Sequence, residues 1–264
     1  LWNNTRHPRV RVAAVAALAG VNPARAAPLA AEIFREITVP DEGRLLCRAF
    51  LNRREGPPKL AAALEGVGLR GPVALAAIQT AEASGREVVG LVTALTRAGG
   101  LKPIAATLGE DERRALLAEV AGSGSAERGA RIYRREALAC TSCHRVGGEG
   151  GQVGPDLSSV GSYMTPASLL ESLLNPSTDI KQGYETVLIT RRDQSVVSGL
   201  LHRKTDTAAL LRDPSGTVLT IPNGEIATLD TSPVSLMPPG LTASLRRDEL
   251  VDLMAYLVAL GRGR

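Results

Sequence analysis

Cys140-Thr141-Ser142-Cys143-His144 constrains this chain more than any other segment. The pattern C-x-x-C-H is an attachment signature for a c-type haem. Two thiols at this spacing can each bond one vinyl group. The histidine that follows is then held beneath the iron as its proximal ligand. The same C-x-x-C spacing also occurs in zinc sites and thiol redox motifs. A closed zinc site would need four Cys or His ligands, and close to this pair the sequence supplies only His144 besides.

Of three cysteines, two belong to the motif, so no even disulfide framework exists. Cys47 stands alone within Leu45-Leu46-Cys47-Arg48-Ala49-Phe50, an apolar helical context. It reads as a buried thiol acting as a small hydrophobe. The 264 residues favour two domains over one. Apolar residues make up 44% of the chain but aromatics only 3%, so Ala, Leu and Val must fill the cores. The net charge of +4 is spread among acids, with no basic block carrying interleaved aromatics. Nucleic acid is therefore not an expected partner. No run of about 18 apolar residues occurs, so no membrane span is expected. The chain opens inside a helical pattern, as a piece of a longer protein would, and shows no signal peptide.

Residues 1–121 read as helices alone. Apolar residues recur at helical spacing from His7 to Ala19 and stop at Gly20. Further helices are expected over 23–37, 41–52 with Asp41 as cap, 57–65, 71–84, 86–98 and 111–121, punctuated by Gly and Pro. Short Ala/Leu-rich helices joined by tight turns suggest a solenoid of helical hairpins, with a plain bundle as the alternative. The segment Arg6 to Ala19 resembles a HEAT-type repeat, which implies a scaffold able to hold a protein partner. His7 has no second ligand at useful spacing and reads as a surface residue. Ala121-Gly122-Ser123-Gly124-Ser125 reads as a short flexible boundary. Its shortness predicts that the two halves pack together.

The second half, 125–264, carries four elements in order. A helix over 126–136 bears Gly129 and Tyr133. The cysteine motif follows, then Gly154-Pro155-Asp156-Leu157. Last comes Met237-Pro238-Pro239-Gly240, ahead of a helix over 247–260 that contains Asp252, Leu253, Tyr256 and Leu257. This order resembles class I cytochrome c. The resemblance implies that the first and last helices cross at Gly129. It also implies that the Pro155 carbonyl accepts a hydrogen bond from the His144 ring, and that Gly154, Pro155 and Leu157 line the cofactor site. The axial pair would be His144 and Met237, holding the iron of one haem c per chain. Met237 sits between Leu236 and two prolines, a stiff loop suited to presenting a thioether. Met164, beside a helix start at Pro166, and His202, in a strand-like segment, are the rivals; Met254 lies among helix-packing residues.

The interval from His144 to Met237 is long for that family, and its excess, at about 184–230, is strand-like. Tyr184–Thr190, Ser195–His202, Thr207–Arg212 and Thr217–Ile221 are separated by turn residues. An antiparallel meander inserted before the methionine loop is the expected form. The full pattern includes Leu170-Glu171-Ser172-Leu173-Leu174-Asn175-Pro176-Ser177, Gly183-Tyr184 and Ser235-Leu236-Met237-Pro238. It resembles the haem-binding C-x-x-C-H domain of large planctomycete and verrucomicrobial proteins. That resemblance implies a mainly α chain with a HEAT-like domain, a cytochrome c domain and a β insertion. It also implies an exported or periplasmic location, and a redox protein or fused dehydrogenase domain as electron donor. With both axial positions filled, electron transfer is the expected activity. A labile methionine would instead open the iron to peroxide or a small gas, as in a haem peroxidase or sensor.

Overall fold

The computed structural model describes residues 8–101 and 108–262. His7 and Arg6 lie outside these described residues. The first half forms three helical hairpins: α1 (Pro8–Val21) with α2 (Pro23–Glu36), α3 (Pro40–Leu51) with α4 (Gly56–Ala63), and α5 (Gly71–Glu82) with α6 (Val89–Ala98). Proline within the first turn starts α2, α3, α4 and α5, where its fixed φ suits the helix and its missing N–H costs nothing. α1, α3 and α5 pack side by side in one layer, and α2, α4 and α6 form the other. Between the layers lie Phe34, Leu46, Cys47, Phe50, Leu60 and Leu95, none of them exposed. Each large apolar side chain buried in this way contributes about 1.5–3 kcal/mol. Cys47 is a core residue whose thiol donates to the Ala77 carbonyl, and burial pushes its pKa up to about 12.

Asp41 is not the cap of α3. Val39 holds that position and Pro40 begins the helix, which leaves Asp41 in the first turn, where its charge still suits the helix N-terminus.

A second core gathers α7 (Glu110–Ser123), α8 (Ala126–Tyr133), α10 (Val160–Tyr163), α11 (Pro166–Leu174) and α12 (Arg247–Ala259), with α9 (Cys140–Cys143) at its edge. α7 falls on this side, its Leu116 and Val120 packed with Leu253, Met254 and Leu257. The Gly/Ser run after it is a tight corner rather than a loose joint. Gly124 lies against Ala255, and the Ser125 amide donates to Asp252 at 2.8 Å. Composition suggested flexibility there; what demands small residues is close approach to α12.

α8 crosses α12 at Gly129, where an added Cβ would stand 1.9 Å from the Asp252 carbonyl oxygen. Beside the crossing, Tyr133 and Tyr256 pack with ring centroids 5.4 Å apart. Arg128 and Arg135 close it with ion pairs to Asp252 and Glu249.

After a two-stranded ribbon of β1 (Arg145–Val146) and β2 (Glu149–Gly150), the insertion builds a five-stranded antiparallel sheet. Its strands are β3 (Thr186–Arg191), β4 (Val196–Lys204), β5 (Ala208–Arg212), β6 (Val218–Pro222) and β7 (Ile226–Ser232), in the order β6-β5-β4-β3-β7. The first four make the expected meander. β7 is an addition that returns to pair with β3. One face buries Val187, Ile189, Ala209, Leu211 and Ile221 against Val197, Ile226 and Leu229. Both edge strands contribute to this cluster, so the sheet curls around it.

The two halves touch through backbone hydrogen bonds. The Val196 amide donates to Asn52 at 2.9 Å and the Arg54 amide to Gln194 at 3.2 Å, beside a β-bridge between Arg53 and Ser195. Among the described residues no helix is long and apolar enough to cross a membrane.

Candidate functional site

Ala139 adopts a left-handed conformation, φ 54°, that ends the preceding turn and starts α9. α9 is a single turn, so Cys140 and Cys143 lie one above the other on it. The His144 amide closes the turn on the Cys140 carbonyl at 2.8 Å. Residues 151–157 then wrap the motif through backbone bonds. Gly151 donates to Thr141, Gly154 to Cys143 and Leu157 to Arg145, at 2.8–2.9 Å.

His144 Nδ1 lies 2.8 Å from the Pro155 carbonyl oxygen. A carbonyl can only accept, so Nδ1 carries the proton and Nε2 keeps its lone pair. Burial lowers the ring's pKa, which favours the neutral imidazole that a metal needs. Gly154 packs flat on the ring. A Cβ there would stand 2.4 Å from Cε1, so only glycine lets the loop approach this closely. From the other side, the Tyr133 hydroxyl donates to the His144 carbonyl at 3.3 Å, which ties the motif to the helix crossing.

Both motif thiols are free and half-buried. Burial pushes Cys140 up to about 11 and raises Cys143 as well. With no metal or cofactor bound, both are therefore neutral S–H groups. Among the described residues no three His, Cys, Asp or Glu side chains converge as metal ligands. A closed zinc site at this pair therefore lacks its remaining donors.

The other expected residues fall into two groups. Leu157 packs against the second core, as Cys140 does. Met237 is half-buried on the loop after β7. That loop reaches the motif through the preceding residue: Leu236 packs with Val153 and Leu200, and Cys143 and Tyr184 lie against the same cluster. The loop is also pinned by its serines. The Met237 amide donates to Ser235 Oγ and the Ser235 amide to Ser177 Oγ, each at 3.1 Å. Among the rivals, Met254 is fully buried, Met164 packs against the second core, and His202 is exposed on β4.

Leu200, Val153 and Tyr184 were not expected at the site. Leu200 lies on β4 on the face opposite Val197, so the outer face of the inserted sheet covers Cys143. The alternation of β4 could have shown which residues share a face, but not what that face meets.

A cleft of about 400 Å³ opens nearby, lined by Arg145, Gly154, Asp156, Tyr184, His202 and Arg212, among others. Its charged lining does not suit a porphyrin face, so it borders the site rather than forming it.

The residues present therefore fit a covalently held haem: two free thiols one turn apart, an imidazole with its outer nitrogen bonded and its inner one free, and apolar neighbours. Residues 126–189 match the family model described as cytochrome c. The matched stretch includes α8, the cysteine motif and the Gly154–Leu157 loop, and ends within β3. This part of the chain is thus a cytochrome c domain, which implies covalently bound haem c and suggests haem-based electron transfer. No curated protein matches the chain.

Proposed function

We propose that the C-terminal half is an electron-transfer module holding one haem c, with His144 and Met237 as axial ligands. The observation that carries the reading is the bond from His144 Nδ1 to Pro155, which aims a neutral imidazole beside two free thiols. When bound, a haem c supplies one reversibly exchanged electron. Cys140 and Cys143 would hold it by thioether bonds. The Pro155 carbonyl increases the electron donation of His144 by accepting a hydrogen bond from its Nδ1–H. Met237 would offer a soft thioether, which favours ferrous iron and raises the potential. Leu157, Leu200 and Leu236 exclude water from the surroundings.

The stacked hairpins of the first half support a HEAT-like scaffold as their role, with a protein partner on their surface. The electron donor would be a separate redox protein or a fused dehydrogenase domain, and haem c attachment favours an exported or periplasmic location.

Carbon monoxide tests the ligation. The reduced, haem-loaded protein is expected to keep its low-spin spectrum under the gas. Met237→Ala is expected to bind it stoichiometrically and to titrate at a lower potential. A shift in the unaltered protein would point to catalysis or sensing at an open iron. An unshifted Met237→Ala would assign the sixth ligand elsewhere.

A further inference from the structure

The loop that carries Met237 is rooted in the helical half. β7 ends at Ser232, whose buried hydroxyl donates to the Gly85 carbonyl at 2.7 Å and accepts from the Val234 amide at 3.1 Å. One oxygen thus joins the corner after α5 to the first turn of the loop. Gly85 has φ +65°, a conformation that strains any residue with a Cβ. It also has no room for one: an added Cβ would meet Thr186 Cγ2 at 2.5 Å and Leu236 Cδ2 at 2.8 Å. The corner is itself held firmly. Arg86 donates to the carbonyls of Leu51, Arg53 and Arg54, which spans the turn between α3 and α4.

The loop between this root and Met237 is short and stiff. Pro233 fixes its own backbone φ, Pro238 restricts the backbone of Met237 just before it, and Ser235 Oγ accepts from the Met237 amide. A stiff segment transmits the direction set at its root, so the position of Ser232 sets where residue 237 lies. Leu236 extends the same path, touching Gly85 on one side and the apolar cluster beside Cys143 on the other.

We propose that Gly85 and Ser232 are positioning residues for the Met237 thioether, so that the helical half anchors the sixth-ligand loop. This rests on the reading of Met237 as the axial ligand. Under it, the helical array is part of the haem site's ligand control, and a partner that displaces the Gly85 corner would loosen the iron–sulfur bond.

The test uses the full chain loaded with haem. Ferric iron bound to a thioether shows a weak far-red absorption band, and added imidazole displaces the thioether in proportion to how readily the loop opens. Removing one hydrogen bond of this kind is expected to raise the apparent imidazole affinity about threefold to tenfold in Ser232→Ala. Ser232→Thr, which keeps the hydroxyl, is expected to restore most of the difference. Arg86→Ala, confined to the helical half, is expected to move the affinity in the same direction, and it serves if Ser232→Ala does not accumulate. Should the unaltered protein show no far-red band, the ligation reading fails and the proposal falls with it. Should the band be present while both variants bind imidazole as the unaltered protein does, the anchor alone is overturned.

Discussion

Gly129→Val is expected to unfold the C-terminal half, with a loss of about 3 kcal/mol or more. The reason is distance. The α8–α12 crossing leaves 1.9 Å between a Cβ at residue 129 and the Asp252 carbonyl oxygen, and 2.7 Å to Tyr256 Cβ. No rotamer relieves a clash with backbone, so the helices must separate. Separation breaks the Tyr133–Tyr256 contact and pulls Tyr133 from the His144 carbonyl. The damage would reach the cysteine motif without touching it. Gly129→Ala is expected to do the same to a smaller degree, since even a methyl group meets that oxygen. Denaturant unfolding followed by near-ultraviolet dichroism measures both. A change below about 0.5 kcal/mol in Gly129→Val, the scale of an ordinary surface substitution, would show that the helices do not cross this closely.

Asp252→Asn is expected to cost about 2 kcal/mol at neutral pH. The Asp252 carboxylate is buried at the same crossing and accepts from Arg128 at 2.5 and 2.7 Å and from the Ser125 amide at 2.8 Å. Hydrogen bonds to a charged group contribute about 1.5–3 kcal/mol each, and the exposed Arg128 head recovers water when its partner goes. The Arg128 hydrogen bonds hold the carboxyl's pKa below the usual carboxylate range. The folded state therefore binds this proton less readily than the unfolded chain. The resulting stability is fully present above the unfolded value of about 3.9 and is lost as pH falls through the lower folded value. The gap between the unaltered protein and Asp252→Asn is thus expected to hold from neutral pH to about pH 5 and to narrow in stronger acid. Unfolding midpoints across that range measure it. A gap independent of pH would mean that the stability lost in Asp252→Asn does not come from the carboxylate's charge.

Local chemistry was legible in the chain. Cys140, Cys143 and His144 announce themselves by spacing, and Gly154-Pro155 by following them. The helices of the first half show because Gly and Pro stand at their ends. What the chain concealed were features decided by contacts between distant segments. β7 has apolar Ile226 and Leu229 three residues apart, without the alternation of a strand, and its pairing to β3 shifts register between Thr190 and Arg191. The run from Gly122 to Ser125 has a linker's composition, yet Gly124 is small because Ala255 lies against it. α7 reads like the helices before it, and only Leu116 and Val120 meeting α12 place it in the second core. Gly85 and Ser232 look like ordinary turn residues, and their hydrogen bond spans the two halves of the chain.

The most direct test is the intact mass of the chain, produced with a haem c attachment system and measured after denaturation and alkylation. The account predicts the mass of one haem added, with Cys47 the sole alkylated thiol. A chain at its bare mass, with Cys140 and Cys143 both alkylated, would contradict it.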